Sequence, residues 1–172
     1  MKHLVLGGVR SGKSAFAEER ILATDSPVYY VATSQVWDDE MADRVRKHQR
    51  RRPASWSLIE EPIKLAQTLQ QLNNTGNAVI VECLSLWISN LLCSEDEDLF
   101  EQETEAFLAI VKRFEGELII VSSEVGLGIM PMNAMARRFG DEIGMMNQKL
   151  AKLTERVTFV AAGLPMPLKS PT

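Results

Sequence analysis

Cysteine is almost missing from this chain, with Cys83 and Cys93 the only two in 172 residues. Two isolated thiols make neither a disulfide framework nor a metal-ligand spacing, so nothing demands an oxidising compartment. Long apolar runs are missing as well. The most hydrophobic stretch, Ala78 to Cys93, is interrupted by Glu82, Ser85, Ser89 and Asn90 and falls short of the ~20 residues of a membrane span. The start, MKHLVLGGVRSGKS, has too short an apolar segment before its glycines and charges to read as a signal peptide. Excess positive charge is absent: the net charge is −4, which argues against general coating of nucleic acid and leaves only a local basic patch open. Repeats and low-complexity tracts are also lacking. These absences lead to the expectation of a soluble, cytoplasmic protein without a membrane span.

What remains is ordinary globular composition, 45% hydrophobic and 24% charged. A single domain of this length buries about 70% of its unfolded surface and folds without staples. Residues 1–172 are therefore expected to form one domain. Short β-rich runs alternate with helical patterns, the signature of an α/β domain with a mostly parallel sheet flanked by helices. Strands are expected over His3 to Leu6, Val28 to Thr33, Trp56 to Ile59, Ala78 to Cys83 and Glu117 to Ser122, with Val157 to Ala161 closing the sheet. Helices are expected over Lys13 to Ala23, Asp38 to about Arg50, Pro62 to Leu72, Leu99 to Phe114 and Asn133 to Thr154. The segment Glu95 to Glu105 holds seven carboxylates in eleven residues and reads as a solvated helix start.

The first expected strand runs into Gly7-Gly8-Val9-Arg10-Ser11-Gly12-Lys13-Ser14, an ungapped G-x-x-x-x-G-K-[ST] string before a helix. Glycines allow backbone N–H groups to turn inward around phosphate oxygens, and the helix adds the positive end of its dipole. Lys13 is the candidate for the β and γ phosphates and Ser14 for a Mg²⁺ ion. The pattern predicts binding of a nucleoside triphosphate. Glu82, ending the apolar VIVEC run, is the candidate acid beside that metal; a contact to a base or ribose, or a solvent-facing strand end, are the alternatives.

Of the two histidines, His3 falls in the first strand at an expected buried, structural position. His48 lies within Arg44-Val45-Arg46-Lys47-His48-Gln49-Arg50-Arg51-Arg52, six positive charges in nine residues. Pro53 ends helical geometry at Arg52. Three readings compete: a solvated helix face, a patch for RNA phosphates, and a nucleophile. Neighbouring cations oppose protonation of the imidazole and stabilise charge on a triphosphate under attack. Beside a P-loop, a histidine nucleophile points to phosphoryl or nucleotidyl transfer through a covalent intermediate.

Over nearly its whole length the chain resembles the bifunctional adenosylcobinamide kinase/adenosylcobinamide-phosphate guanylyltransferases of cobalamin biosynthesis. The resemblance rests on GGVRSGKS (7–14), YVATSQVWDDEMADRVRKHQRRRPASW (30–56), EEP (60–62), VECLSLWISNLL (81–92), SSEVGLGIMP (122–131) and NAMARRFGDEIGMMNQ (133–148), in that order. Val9 stands where the family has alanine, and Met130 where it has valine.

By this resemblance His48 becomes guanylylated and Gly7 to Ser14 cradle the triphosphate. Ala32, Thr33 and Ser34 with Gln49, Arg50, Arg51 and Arg52 complete the GTP site, and Glu60 and Glu82 add nucleotide contacts. The run after His48 is richer in arginine than in other members, and Arg52 is the best supported of the four.

The resemblance further implies a RecA-like P-loop sheet, a homotrimer, GTP and ATP as substrates, and Mg²⁺. It also implies the aminopropanol hydroxyl of adenosylcobinamide, then adenosylcobinamide phosphate, as acceptors, with no nucleic acid. Two rival readings are a plain small-metabolite kinase and a non-catalytic, nucleotide-dependent RNA or protein binder. The string Ser122 to Gly128 follows a strand without matching a dinucleotide fingerprint, and reads as a loop at the carboxyl end of the sheet, where ligands gather. Trp37 and Trp56 flank the basic helix and Trp87 is assigned to the core beside Glu82; all three read as core or interface residues, with corrinoid or base stacking as the alternative. Arg137 and Asp141, at i and i+4, read as a plain helix pair of little weight.

Overall fold

The computed structural model describes residues 1–35 and 53–171. The expected helix from Asp38 to about Arg50, Trp37, His48 and the run Gln49–Arg52 lie outside the described residues.

The central strands are apolar on both faces, as strands covered on both sides must be. β1 (Lys2–Gly7), β4 (Ala78–Glu82) and β5 (Glu117–Ser123) are buried along nearly their whole length. With β2 (Val28–Ala32), β3 (Ser57–Glu60), β6 (Arg156–Ala161) and β7 (Leu164–Lys169) they form one sheet of order β3-β2-β4-β5-β1-β6-β7. Every neighbouring pair is parallel except β6 and β7. β6 therefore does not close the sheet. A two-residue turn at Ala162 (φ 51°) and Gly163 (φ 78°) folds the chain back as an antiparallel edge strand, β7.

The period-two alternation of the strands divides the core. Leu4, Leu6, Val79, Val81, Leu118 and Ile120 face α2 (Leu65–Leu72), α3 (Leu84–Leu92), α4 (Leu99–Arg113) and α5 (Ala134–Leu153). Val5, Ile80, Ile119, Val121 and Val160 face α1 (Lys13–Ile21) through Ala17 and Ile21. Trp87 is fully buried in the larger cluster, tilted against Phe107, and its indole N–H donates to the Ile63 carbonyl. Trp56 stacks on Tyr30 beside the smaller one.

Local chemistry sets the helix ends. Glu61 accepts hydrogen bonds from the N–H groups of Ile63 and Lys64, so α2 starts at Leu65 and not at Pro62. The Asn133 side chain caps α5 by accepting from Met135 and Ala136. Arg137 donates to the carbonyls of Pro131 and Met132. The acidic segment is mostly solvated, with one correction: Glu103 is buried and pairs with Lys64 at 2.9 Å, which raises the Lys64 pKa.

Candidate active site

All the parallel strands point their carboxyl ends toward the same edge, and the register sets the candidate residues side by side there. Ala32 lies opposite Glu60 on one flank and Glu82 on the other, and Gly7 lies opposite Ser123. Ligands collect at this edge of open α/β sheets because the strand-to-helix turns leave a crevice.

The phosphate loop leaves β1 at Gly7 and enters α1 at Lys13. It passes through left-handed backbone at Arg10 (φ 55°) and Gly12 (φ 96°). A side chain at Gly7 would meet the Ser11 hydroxyl and the Val160 carbonyl at 2.5 Å, so only glycine fits there. At Gly12 a Cβ would approach Gly163 Cα at 3.0 Å, because the tip of the β6–β7 hairpin rests on the loop. The Gly163 N–H donates to the Ser11 carbonyl at 2.8 Å, fixing that contact. Among the described residues nothing lies within 4 Å of a Cβ built on Gly8, so none of them accounts for its glycine. Val9 and Arg10 are exposed. The Lys13 ammonium folds back to donate to the Gly8 carbonyl at 3.1 Å.

Ser14 and Glu82 meet across the edge, the hydroxyl donating to the carboxylate at 2.7 Å. A hydroxyl and a carboxylate side by side are hard oxygen donors of the kind that hold magnesium together with phosphate oxygens and water. Among the described residues no group of three or more His, Cys, Asp and Glu forms a metal cluster.

Behind them, buried Thr33 clasps the chain after β4. Its hydroxyl accepts from the Cys83 N–H at 2.9 Å and donates to the Cys83 carbonyl at 2.7 Å. Burial, then the neighbouring Glu82 carboxylate, pushes the Cys83 thiol pKa up, so the thiol stays protonated. Ser34 is partly exposed beyond Thr33, and Glu60 is exposed at the end of β3.

Three supporting residues escaped the reading of the sequence. Asn90 donates to the carbonyls of Thr33 (2.8 Å) and Pro62 (3.0 Å), tying two predicted nucleotide segments to α3. Asn147 accepts from the Ser122 hydroxyl and donates to the Ser123 carbonyl, while Ser85 accepts from the Ser123 N–H. These contacts pin the start of the loop after β5, whose Glu124 N–H donates to the Gly7 carbonyl. Beyond that anchor Leu127, Ile129, Met130 and Met132 are exposed, Ile129 by 99%. The only signal for Asn90 and Asn147 is a lone amide on an otherwise apolar helical face. Such an amide must find partners when buried.

The chain is similar to known proteins along its whole length. The Pseudomonas aeruginosa bifunctional adenosylcobalamin biosynthesis protein CobP is 46% identical over 169 residues, covering 98% of both chains. The Escherichia coli bifunctional adenosylcobalamin biosynthesis protein CobU is 35% identical over 182 residues, covering 98% of this chain and 100% of that one. Among solved structures, the ATPase EscN of the enteropathogenic E. coli type III secretion system matches with a TM-score of 0.57 at 10% identity, over 94% of this chain and 43% of that one. That likeness concerns the fold, a P-loop fold. The model of the CobU family, cobinamide kinase / cobinamide phosphate guanyltransferase, matches residues 3–168, and the chain belongs to that family.

Proposed function

We propose that this chain carries out both half-reactions of its family at one nucleotide region, with His48 as a covalent carrier. The observation that carries the nucleotide part is the Ser14–Glu82 contact beside a glycine-built loop closed by Lys13. Ser14 and Glu82 would hold Mg²⁺, which lowers the charge repulsion met by an attacking oxygen.

In the kinase step, Gly7 to Ser14 hold ATP or GTP. The aminopropanol hydroxyl of adenosylcobinamide attacks the γ-phosphorus. The bond from that phosphorus to the bridging oxygen breaks, the nucleoside diphosphate leaves, and the hydroxyl proton is released. In the transfer step, a neutral His48 nitrogen attacks the α-phosphorus of GTP and pyrophosphate departs, its charge met by Lys13 and Arg52. A phosphate oxygen of adenosylcobinamide phosphate then displaces the histidine, giving adenosylcobinamide-GDP. The histidine retains the activated guanylyl group while the large corrinoid binds. Ala32, Thr33, Ser34, Glu60 and the run Gln49–Arg52 complete the GTP contacts in this reading; the register of Ala32 with Glu60 and Glu82 supports the first part.

Residues 1–172 would act as one domain, supported by a single sheet with a core on each face. A cytoplasmic homotrimer that binds no nucleic acid is the working form in this proposal. No helix among the described residues is long and apolar enough to cross a membrane.

The test incubates protein and Mg²⁺ with GTP labelled at the α or the γ phosphate, then denatures and counts bound label. Retained α label that is acid-labile and absent from His48→Ala supports the proposal. No α label in protein that binds GTP overturns the histidine step and leaves a plain kinase.

A further inference from the structure

The opposite end of the sheet carries cations that the nucleotide chemistry does not use. On the face covered by α1, β1 and β6 pair His3 with Arg156 and Val5 with Thr158. His3 Nε2 and Thr158 Oγ1 are 2.8 Å apart, and the imidazole meets Phe16 edge-on. α1 runs only from Lys13 to Ile21, about 14 Å. Its last turn sets Arg20 over the Phe16 ring, 5.1 Å from the centroid, beside the buried His3 and Thr158. Two recesses of about 290 and 370 Å³ open there, and both are lined by His3, Arg20 and Arg156.

The charges around these recesses are unbalanced. Lys169 joins the two arginines, although its ammonium donates to the carbonyls of Ala151, Lys152 and Thr154 at the end of α5. Opposing them are one lining carboxylate, Glu117, and the carbonyl end of α1. Neither arginine forms a salt bridge among the described residues, and the buried Nε of Arg156 has no hydrogen-bond partner. A buried guanidinium N–H without an acceptor is costly, so its presence asks for a ligand. Burial, then Arg156 and Arg20, hold the His3 pKa down at about 4. At neutral pH the imidazole therefore contributes hydrogen bonds and the guanidiniums contribute charge.

We propose that the two recesses, which share His3, Arg20 and Arg156, form a second anion site that takes the phosphate group of a small phosphorylated metabolite, with Arg156 and Arg20 gripping its oxygens. Guanidiniums match phosphate oxygens in pairs, and two of them on separate elements suit a dianion better than a monoanionic carboxylate. Phe16 and Pro167 supply the apolar wall for the rest of the molecule. The site is distinct from the phosphate loop: His3 and Gly7 are four positions apart on β1, about 13 Å.

The probe is inorganic phosphate, and the reporter is the His3 ring. In His48→Ala protein His3 is the only imidazole, so its ring resonances are read without overlap while phosphate is added at constant ionic strength and pH 7. A saturable shift with a Kd on the order of 1 mM is expected. It should weaken at least about tenfold in Arg156→Gln and in Arg20→Gln, and persist in Lys13→Ala, which disables the phosphate loop. If Arg156→Gln fails to fold, Arg20→Gln, altered at an exposed helix end, decides the matter. A His3 ring unmoved at about 10 mM phosphate overturns the proposal. So does an undiminished affinity in folded arginine variants, or loss of the shift in Lys13→Ala.

Discussion

The two ends of β1 make opposite use of polar residues. At its carboxyl end, the buried Ser11 hydroxyl aside, the protein supplies partners for its own groups: Ser14 for Glu82, Thr33 for the Cys83 backbone, Asn90 for two carbonyls, Asn147 for Ser122 and Ser123. At its amino end, four positions away, Arg20 and Arg156 stand by a single lining carboxylate and the Arg156 Nε has no hydrogen-bond partner among the described residues. The first arrangement holds a loop rigid so that backbone N–H groups, placed by glycine, receive a triphosphate. The second relies on side-chain charge from separate elements. Preorganised backbone costs no further ordering when ligand arrives, whereas long arginines must be ordered by what they bind.

The largest effect expected from breaking this contrast is at Lys13. Lys13→Ala should lower both phosphoryl and guanylyl transfer by roughly 10²–10³-fold, since one cation near the phosphates serves both reactions. Arg20→Gln, at the other end of the same helix, should leave both rates within about twofold in phosphate-free buffer. Steady-state assays of each half-reaction on the two variants make the check. A comparable loss in Arg20→Gln would show that the ends are not functionally separate.

The amino end should reveal itself in stability against pH. His3 has a folded pKa of about 4 against an ordinary 6.5. Between these values the unfolded chain takes up a proton that the folded protein refuses, so stability falls as pH drops from about 6.5 to about 4. The integrated loss is about 3 kcal/mol, and below pH 4 this residue adds no further loss. Denaturant midpoints across that window, compared with His3→Gln, isolate the effect from the carboxylates. A wild-type slope equal to that of the variant would contradict it. Saturating phosphate should flatten the slope, because a bound anion favours the protonated ring.

The same contrast explains what was legible in the sequence. The phosphate loop is contiguous, and each of its glycines answers to a local demand of backbone or ligand, so the string alone disclosed it. β1, β4 and β5 were readable because burial on both faces imposes unbroken apolar runs. α3 was missed: Leu84–Leu92 continues the apolar run of β4 with no polar break to mark a change of period. β7 was missed because Pro165 and Pro167 argue against a strand, a signal that fails at an unpaired edge. Asn90 could be seen in the sequence, but not that its amide would join Thr33 to Pro62. The amino-end site draws on His3, Arg20 and Arg156, and only the fold brings them together.

The smallest effect sharpens the contrast on the carboxyl side. Gly12 and Gly163 touch, and both have positive φ, yet their substitution should differ. Among the described residues a Cβ on Gly163 meets nothing within 4 Å, so Gly163→Ala carries the left-handed backbone penalty, about 1 kcal/mol. For a chain of this size that is a Tm drop of roughly 2–4 °C. Nucleotide affinity should hardly change, because the hairpin N–H still donates to Ser11. In Gly12→Ala the same penalty is joined by a 3.0 Å approach to the Gly163 backbone, and relief must come from moving either the hairpin or the loop. Movement of the loop displaces the N–H groups aimed at phosphate, so this variant should lose nucleotide affinity by more than its Tm foretells. Calorimetric titration with a non-hydrolysable GTP analogue beside thermal melts separates the two. Equal affinities in both variants would mean that the hairpin yields and the loop does not depend on it.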